Sequence, residues 1–299
     1  MLEIIQKRKF AYLFSGILLG LSVLAISAWG LRLGLDFKGG TLLEVRFSVD
    51  PAPQTQEIQA ALEPLGLQSL SVQATEGNGA LIRYLASDEA TNDRAMEELE
   101  KMDSELELLR TDFIGASVSE QMKTSAFWGI LFSILGIAAY IALAFRRVSR
   151  PISSWEYGWG AVIALAHDIV VTVGAFAVFG RFMGVEVGIP FVAALLTILG
   201  YSVNDSIVVY DRIRENLLRS KTKSDFEGLV NRSVNETMSR SINTSMTVMI
   251  VLASIALFGG ESIRWFAIAL LIGVGFGTYS SVFVASALLV TRYKMKTGK

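Results

Sequence analysis

Six stretches of this sequence stay apolar for about twenty residues each, the length a helix needs to cross the hydrocarbon core of a bilayer. They run from Phe10 to Leu31, Ser125 to Phe145, Ala161 to Gly180, Phe191 to Tyr210, about Ser241 to Phe258, and Trp265 to Val290. No soluble fold accommodates that pattern. Only 18% of the 299 residues are charged, against about a quarter in soluble domains. The pattern predicts a polytopic α-helical membrane protein with six transmembrane helices.

The loops suggest an orientation. With a cytoplasmic N-terminus, the inside segments hold 17 of the 27 basic residues, among them Lys7, Arg8, Lys9, Arg146, Arg147 and Arg150. The short outside loops carry one each, Arg181 and Arg264. The bias toward basic inner loops therefore places both termini in the cytoplasm. The first span follows a basic segment, but its apolar run exceeds that of a cleaved signal peptide, so an uncleaved anchor is expected. Trp155, Tyr157 and Trp159 are expected as interfacial aromatics before the third span.

Between the first two spans lies a polar block, residues 32–124, with 8 basic and 17 acidic residues. Its periodicity alternates between two kinds. Thr41 to Ser48 reads as a strand, Thr55 to Leu65 as a helix, and Ser69 to Ala74 as a strand. Gly77-Asn78-Gly79 signals a hairpin turn, and Ala80 to Leu85 is the returning strand. Asp88 to Met102 reads as an acidic helix and Leu106 to Phe113 as a last strand. The order β-α-β-β-α-β predicts one α+β ferredoxin-like extracytoplasmic domain. The domain plan is thus residues 1–31 as N-terminus and first helix, 32–124 as outer domain, 125–290 as a five-helix bundle, and 291–299 as a basic cytoplasmic tail.

Composition excludes much chemistry. There is no cysteine and one histidine, His167. Disulfides, thiolate metal sites and thiol nucleophiles are absent, and no cofactor or metal is expected. A net charge of −1 provides no global basic field for nucleic acid. Intramembrane proteolysis is disfavoured, because neither Gly-x-Gly-Asp nor Gly-x-Ser-Gly surrounds the polar residues of the spans.

Ionisable residues at membrane depth are costly and point to function. Asp168 lies in the third span and Asp205 in the fourth, about five residues or 7–8 Å from its cytoplasmic end. Asn204, Tyr201 and Thr197 extend a polar stripe beside Asp205. Arg240, at the start of the fifth span, is the candidate counter-charge to Asp205, with Asp168 as a second candidate partner. Burial opposes a carboxylate's charge and a nearby arginine supports it, so protonation can be reversible. Asp205, Arg240 and Asp168 are therefore the candidate proton-coupling residues. Gly273 and Gly277 form a GxxxG in the sixth span, and Gly129 with Ser133 repeats the spacing in the second, as small residues do at close helix contacts.

Several motifs resemble those of the bacterial SecD/SecF family, which is related to the resistance-nodulation-division transporters. Gly34-Leu35-Asp36-Phe37-Lys38-Gly39-Gly40 resembles the family's GLDFxGG. Gly115-Ala116-Ser117-Val118-Ser119 resembles its GxxVS element, with Ala116 where proline is usual. Ala166-His167-Asp168, the run from Gly200 to Glu215, and the run from Asn231 to Ile242 resemble its motifs in the third to fifth spans. Six spans and a short outer domain point to the SecF branch. The resemblance implies a heterodimer with SecD, work with the SecYEG channel and SecA on preprotein clients, and use of the proton motive force. It also implies residence among lipids of the plasma (inner) membrane, with protons as coupling ion and no enzymatic activity. On the same basis Asp205 and Arg240 take the proton-coupling role. The alternative is a self-sufficient proton-coupled exporter of small molecules, although six spans suggest half of a pseudo-symmetric unit.

Overall fold

The computed structural model describes residues 1–75, 77–85, 89–146, 151–219 and 225–298. Asp88, Arg147, Arg150, Lys221, Lys223 and Lys299, which entered the readings above, lie outside the described residues. The chain forms two compact units, residues 33–126 and the remainder.

The first helix, α1 (Arg8–Trp29), belongs to the larger unit; the smaller unit holds α2 (Leu35–Lys38), β1 (Gly40–Arg46), α3 (Thr55–Leu62), β2 (Gln68–Thr75), β3 (Gly79–Leu85), α4 (Glu89–Met102) and β4 (Glu107–Ile114). The sheet order is β2-β3-β1-β4, with antiparallel pairing throughout. That is the ferredoxin-like arrangement the periodicity predicts. Alternation along β1 sends Leu43 and Val45 inward, opposite Ile82 and Ala80 of β3. Ile58 and Leu62 of α3, and Ala95 and Leu99 of α4, are each one turn apart and close the same core.

The two glycines between α2 and β1 have a steric reason. Both have positive φ, +74° at Gly39 and +109° at Gly40. Gly39 donates its N–H to the Leu35 carbonyl and ends α2. A Cβ on Gly40 would collide with the Tyr84 carbonyl oxygen. Only glycine lets the chain turn sharply into a central strand here.

The larger unit is helical. It contains α1, most of α5 (Ala116–Ala144), α6 (Ser154–Met183), α7 (Ile189–Arg219), α8 (Phe226–Phe258), α9 (Glu261–Ser280) and α10 (Ser286–Thr297). A π-turn, Ser281–Ala285, joins the last two. Six helical segments among the described residues are long and apolar enough to cross a membrane.

The helices outrun the apolar stretches. Between the fourth and fifth apolar stretches, α7 continues to Arg219 and α8 opens at Phe226. Residues 291–297, expected as a tail, continue α10. Polar residues do not stop a helix whose backbone bonds and side-chain pairs are satisfied. Here Arg212 bonds Glu236 at 2.6 Å, Asn216 bonds Ser233 at 3.0 Å, and Lys294 bonds Glu227 at 2.5 Å.

Of the three aromatics before the third span, Trp155 and Trp159 are exposed, whereas Tyr157 is fully buried. At 100° per residue, positions 155 and 159 share a face and 157 points away. Tyr157 instead stacks on Phe145 and meets Tyr210 edge-on, both at 5.2 Å.

Candidate functional site

The interior of the bundle is lined with serines, and they converge on the two aspartates. Asp168 of α6 has no exposed surface. Its Oδ2 accepts hydrogen bonds from Ser202 of α7 at 2.6 Å and Ser280 of α9 at 2.8 Å. Its Oδ1 lies 2.9 Å from His167 Nδ1. Asp205 is buried one turn further along α7, where Ser241 of α8 donates to its Oδ1 at 2.5 Å. Its Oδ2 is buried without a hydrogen-bond partner.

Local chemistry explains the meeting. Gly273 and Gly277 sit one turn apart on α9, and Cβ atoms there would press on Ile198 and Ser202. The GxxxG pair therefore brings α9 against α7 within this chain. Just beyond it, Ser281 bonds back to the Gly277 carbonyl at 2.8 Å, and Ser286 bonds the Val282 carbonyl. Such back-bonding competes with the backbone ladder and bends helices, and here it flanks the π-turn. The turn separates neighbouring serines. Ser280 serves Asp168, while Ser281 bonds Ser206 at 3.0 Å and reaches the Ser202 carbonyl at 3.3 Å.

Arg240 and Asp205 share a small cavity rather than an ion pair. The cavity holds about 50 Å³ and is lined by Tyr201, Asn204, Asp205, Val208, Arg240 and Thr244. That is room for water. Arg240 lines this space opposite Asp205 and is itself exposed. No salt bridge joins Arg240 to Asp168, which is served by His167 and serines.

The polar stripe on α7 is narrower than expected. Tyr201 faces the site and donates to Ser245 at 3.1 Å. Asn204 is exposed at the cavity rim, and Thr197 is exposed and bonds its own helix at the Ala193 carbonyl. Eight residues of helix accumulate a rotation of about 80° beyond two full turns, which carries Thr197 off the Asp205 face. Gly129 of α5 has open space around it, so this glycine marks no close helix contact among the described residues.

Sequence reasoning gave the serines no part in holding the aspartates. Ser202, Ser241, Ser280 and Ser281 are all buried, and their signal was present as hydroxyls recurring in apolar segments. It also passed over Asn231 and Asn235 of α8, which grip the N-terminal segment. Asn231 Oδ1 accepts the N–H groups of Ile4 and Ile5 at 3.0 and 3.1 Å, and both asparagines donate to the Leu2 carbonyl.

Comparison with known proteins agrees with this layout. The model of protein export membrane protein SecD/SecF, C-terminal, matches residues 94–295, and the SecD/SecF GG motif matches residues 30–50. The sequence is 40% identical to the protein translocase subunit SecF of Thermobaculum terrenum, over 97% of this chain and 94% of that one. It is 37% identical to the SecF of Synechocystis, over 100% and 96%, and 35% identical to that of Haemophilus influenzae, over 96% and 84%. The crystal structure of SecDF from Thermus thermophilus, a translocon-associated membrane protein, superposes with a TM-score of 0.79 at 31% identity. The match covers 96% of this chain but 38% of the SecDF chain. A SecDF structure in a super-membrane-facing form gives a TM-score of 0.69 at 30% identity, covering 99% of this chain and 39% of that one.

Proposed function

The chain belongs to the SecD/SecF family of protein-export membrane proteins, among its SecF subunits, and from that premise we propose that it couples proton movement to preprotein export. A role accessory to Sec translocation follows from the family. The proton coupling is our reading of the site. The partner is a SecD-type half. The solved SecDF chains, of which this chain spans under two fifths, support that pairing. The pair works beside the SecYEG channel and SecA, in the plasma (inner) membrane with both termini cytoplasmic, as the basic loops favour.

One observation carries the reading. Asp205 is buried in the bundle with one oxygen held by Ser241, the other unpartnered, and a water-sized cavity between it and Arg240. The free oxygen is a place for a proton. Protonation removes the attraction to Arg240 across the cavity, and α8 is then released relative to α7. One proton crossing the membrane potential supplies about 2.3 kcal/mol per 100 mV. A two-state element shifts tenfold for about 1.4 kcal/mol, so a single proton suffices as a bias. Asp168, on the far side of Ser202, supports the same network.

The test is reconstitution. Vesicles carrying SecYEG, SecA and the SecD-type partner should complete preprotein export faster under a proton gradient when this chain is present. Equal acceleration without the chain contradicts the proposal.

A further inference from the structure

His167 is the chain's single histidine, and its ring is only 3% exposed. One nitrogen faces Asp168, and the other, Nε2, is buried with no hydrogen-bond partner. Leaving a buried polar atom unpaired costs about 1–3 kcal/mol. The surroundings do not relieve that cost. The nearest rings, Phe276 and Tyr279 of α9, stand 6.4 and 6.1 Å away between centroids.

The charge count points the same way. With Asp168 ionised and the ring neutral, the dyad carries −1. Among the described residues, no lysine or arginine lies within ion-pair distance of Asp168, and His167 is the one ionisable partner it meets. The groups facing the dyad from neighbouring helices are hydroxyls: Ser202 on α7, Ser280 and Tyr279 on α9, and Ser15 on α1, which bonds Tyr279 at 3.1 Å. Asp205 and Arg240 lie beyond Ser202, around their own cavity. A lone charge in so dry a site invites a counter-charge.

The two places for a proton are not equal. Asp168 already accepts three hydrogen bonds when Nδ1 carries the ring hydrogen. A proton on the carboxylate would force one of those donors to turn away. A proton on Nε2 displaces none of those three donors. It leaves the Nδ1–H donating to Oδ1, converts the ring to imidazolium, and brings the dyad to zero net charge.

Only Tyr279 is shared between the dyad's surroundings and a groove that the dyad itself does not line. Tyr279 lines that groove, of about 430 Å³ between α1 and the α8–α9 side, together with Lys7, Phe10, Phe14, Met238 and Phe283. Lys7 lies toward the basic end of the bundle, where the N-terminal segment sits.

We propose that His167 and Asp168 form a second proton-acceptor site of the bundle, with His167 Nε2 the atom that takes the proton. Ser280, the residue just before the π-turn, serves this second site. The inference rests on the proton-coupled reading of the bundle but is tested separately from it.

A single histidine makes the test clean. The chain is labelled with ¹⁵N-histidine, co-reconstituted with an unlabelled SecD-type partner, and its two ring nitrogens are followed by NMR in vesicles. At alkaline pH the expected spectrum has a protonated Nδ1 and a bare Nε2. On acidification Nε2 gains its hydrogen. Asp168→Asn removes that response at the same pH. Ser280→Ala, a milder change, strips one donor from the carboxylate and raises the fraction of doubly protonated ring at a given pH. An Nε2 that stays bare on acidification overturns the proposal. So does an equal response in Asp168→Asn, or an unchanged fraction in Ser280→Ala. A ring that responds as expected, in a complex whose export ignores the proton gradient, would uphold the dyad and sink the wider reading.

Discussion

Small residues decide how closely the helices meet, and their effect depends on the face. A Cβ on Gly277 would stand 3.0 Å from that of Ser202, so Gly277→Leu wedges α9 off α7. Overpacking of this kind costs about 1–3 kcal/mol, and the thermal midpoint of the detergent-solubilised chain should fall accordingly. Gly129→Leu, at an open position, should leave it unchanged. Ser241→Ala removes the donor to Asp205 Oδ1. Hydrogen bonds to charged groups are worth about 1.5–3 kcal/mol, so the gradient-dependent step of export should slow at least about tenfold, and Ser241→Thr should restore it. The carboxylates were legible in the sequence because a charge in an apolar run is conspicuous. Their partners were not. A serine in a membrane helix costs little, so Ser202 and Ser280 look the same on paper as Ser254, which bonds only its own helix. The expected Asp205–Arg240 contact was legible as a neighbourhood, but side-chain reach left a water-sized gap between them.

At the scale of elements, the sheet unit was read almost strand for strand, because alternation and turn residues are local signals. The membrane helices were read too short. Hydropathy ends where charges begin, but α7 and α8 go on past the apolar stretch because Arg212, Asn216, Ser233 and Glu236 satisfy one another. The sheet unit also depends on a polar device that no periodicity reveals. Asp103, after α4, is a buried carboxylate that accepts from the Ser48 N–H and hydroxyl, the Val49 N–H and the Glu105 N–H. Burial pushes this carboxyl up, but the accepted hydrogen bonds outweigh it and hold it below its ordinary value of 3.8. A carboxyl held low in the folded state stabilises the fold above its unfolded value and loses that contribution as pH falls through the folded one. Hydrogen-exchange protection of the β1 amides should therefore decline on acidification below about pH 4. Asp103→Asn should lower protection at neutral pH and flatten that dependence. A variant with the wild-type acid profile would contradict the assignment.

At the scale of the molecule, the N-terminal segment packs into the bundle. Ile5 is fully buried, Asn231 and Asn235 hold the backbone of residues 2–5, and Glu227 bonds both Arg8 and Lys294. One face of α8 thus ties the first helix to the last. Asn231→Ala orphans the Ile4 and Ile5 N–H groups, at about 1–3 kcal/mol. It should expose the segment to proteolysis while the sheet unit keeps its protection. Nothing in the sequence announced this clamp, since its partners are more than 225 residues apart. The account as a whole turns on one carboxylate. The measurement that bears on it most directly is preprotein export by the reconstituted complex, with and without a proton gradient, carrying Asp205→Asn or Asp205→Glu. We expect Asp205→Asn to assemble normally and export at a rate indifferent to the gradient, and Asp205→Glu to recover part of the acceleration. Full gradient dependence in Asp205→Asn would contradict the account and reduce Asp205 to a polar contact between α7 and α8.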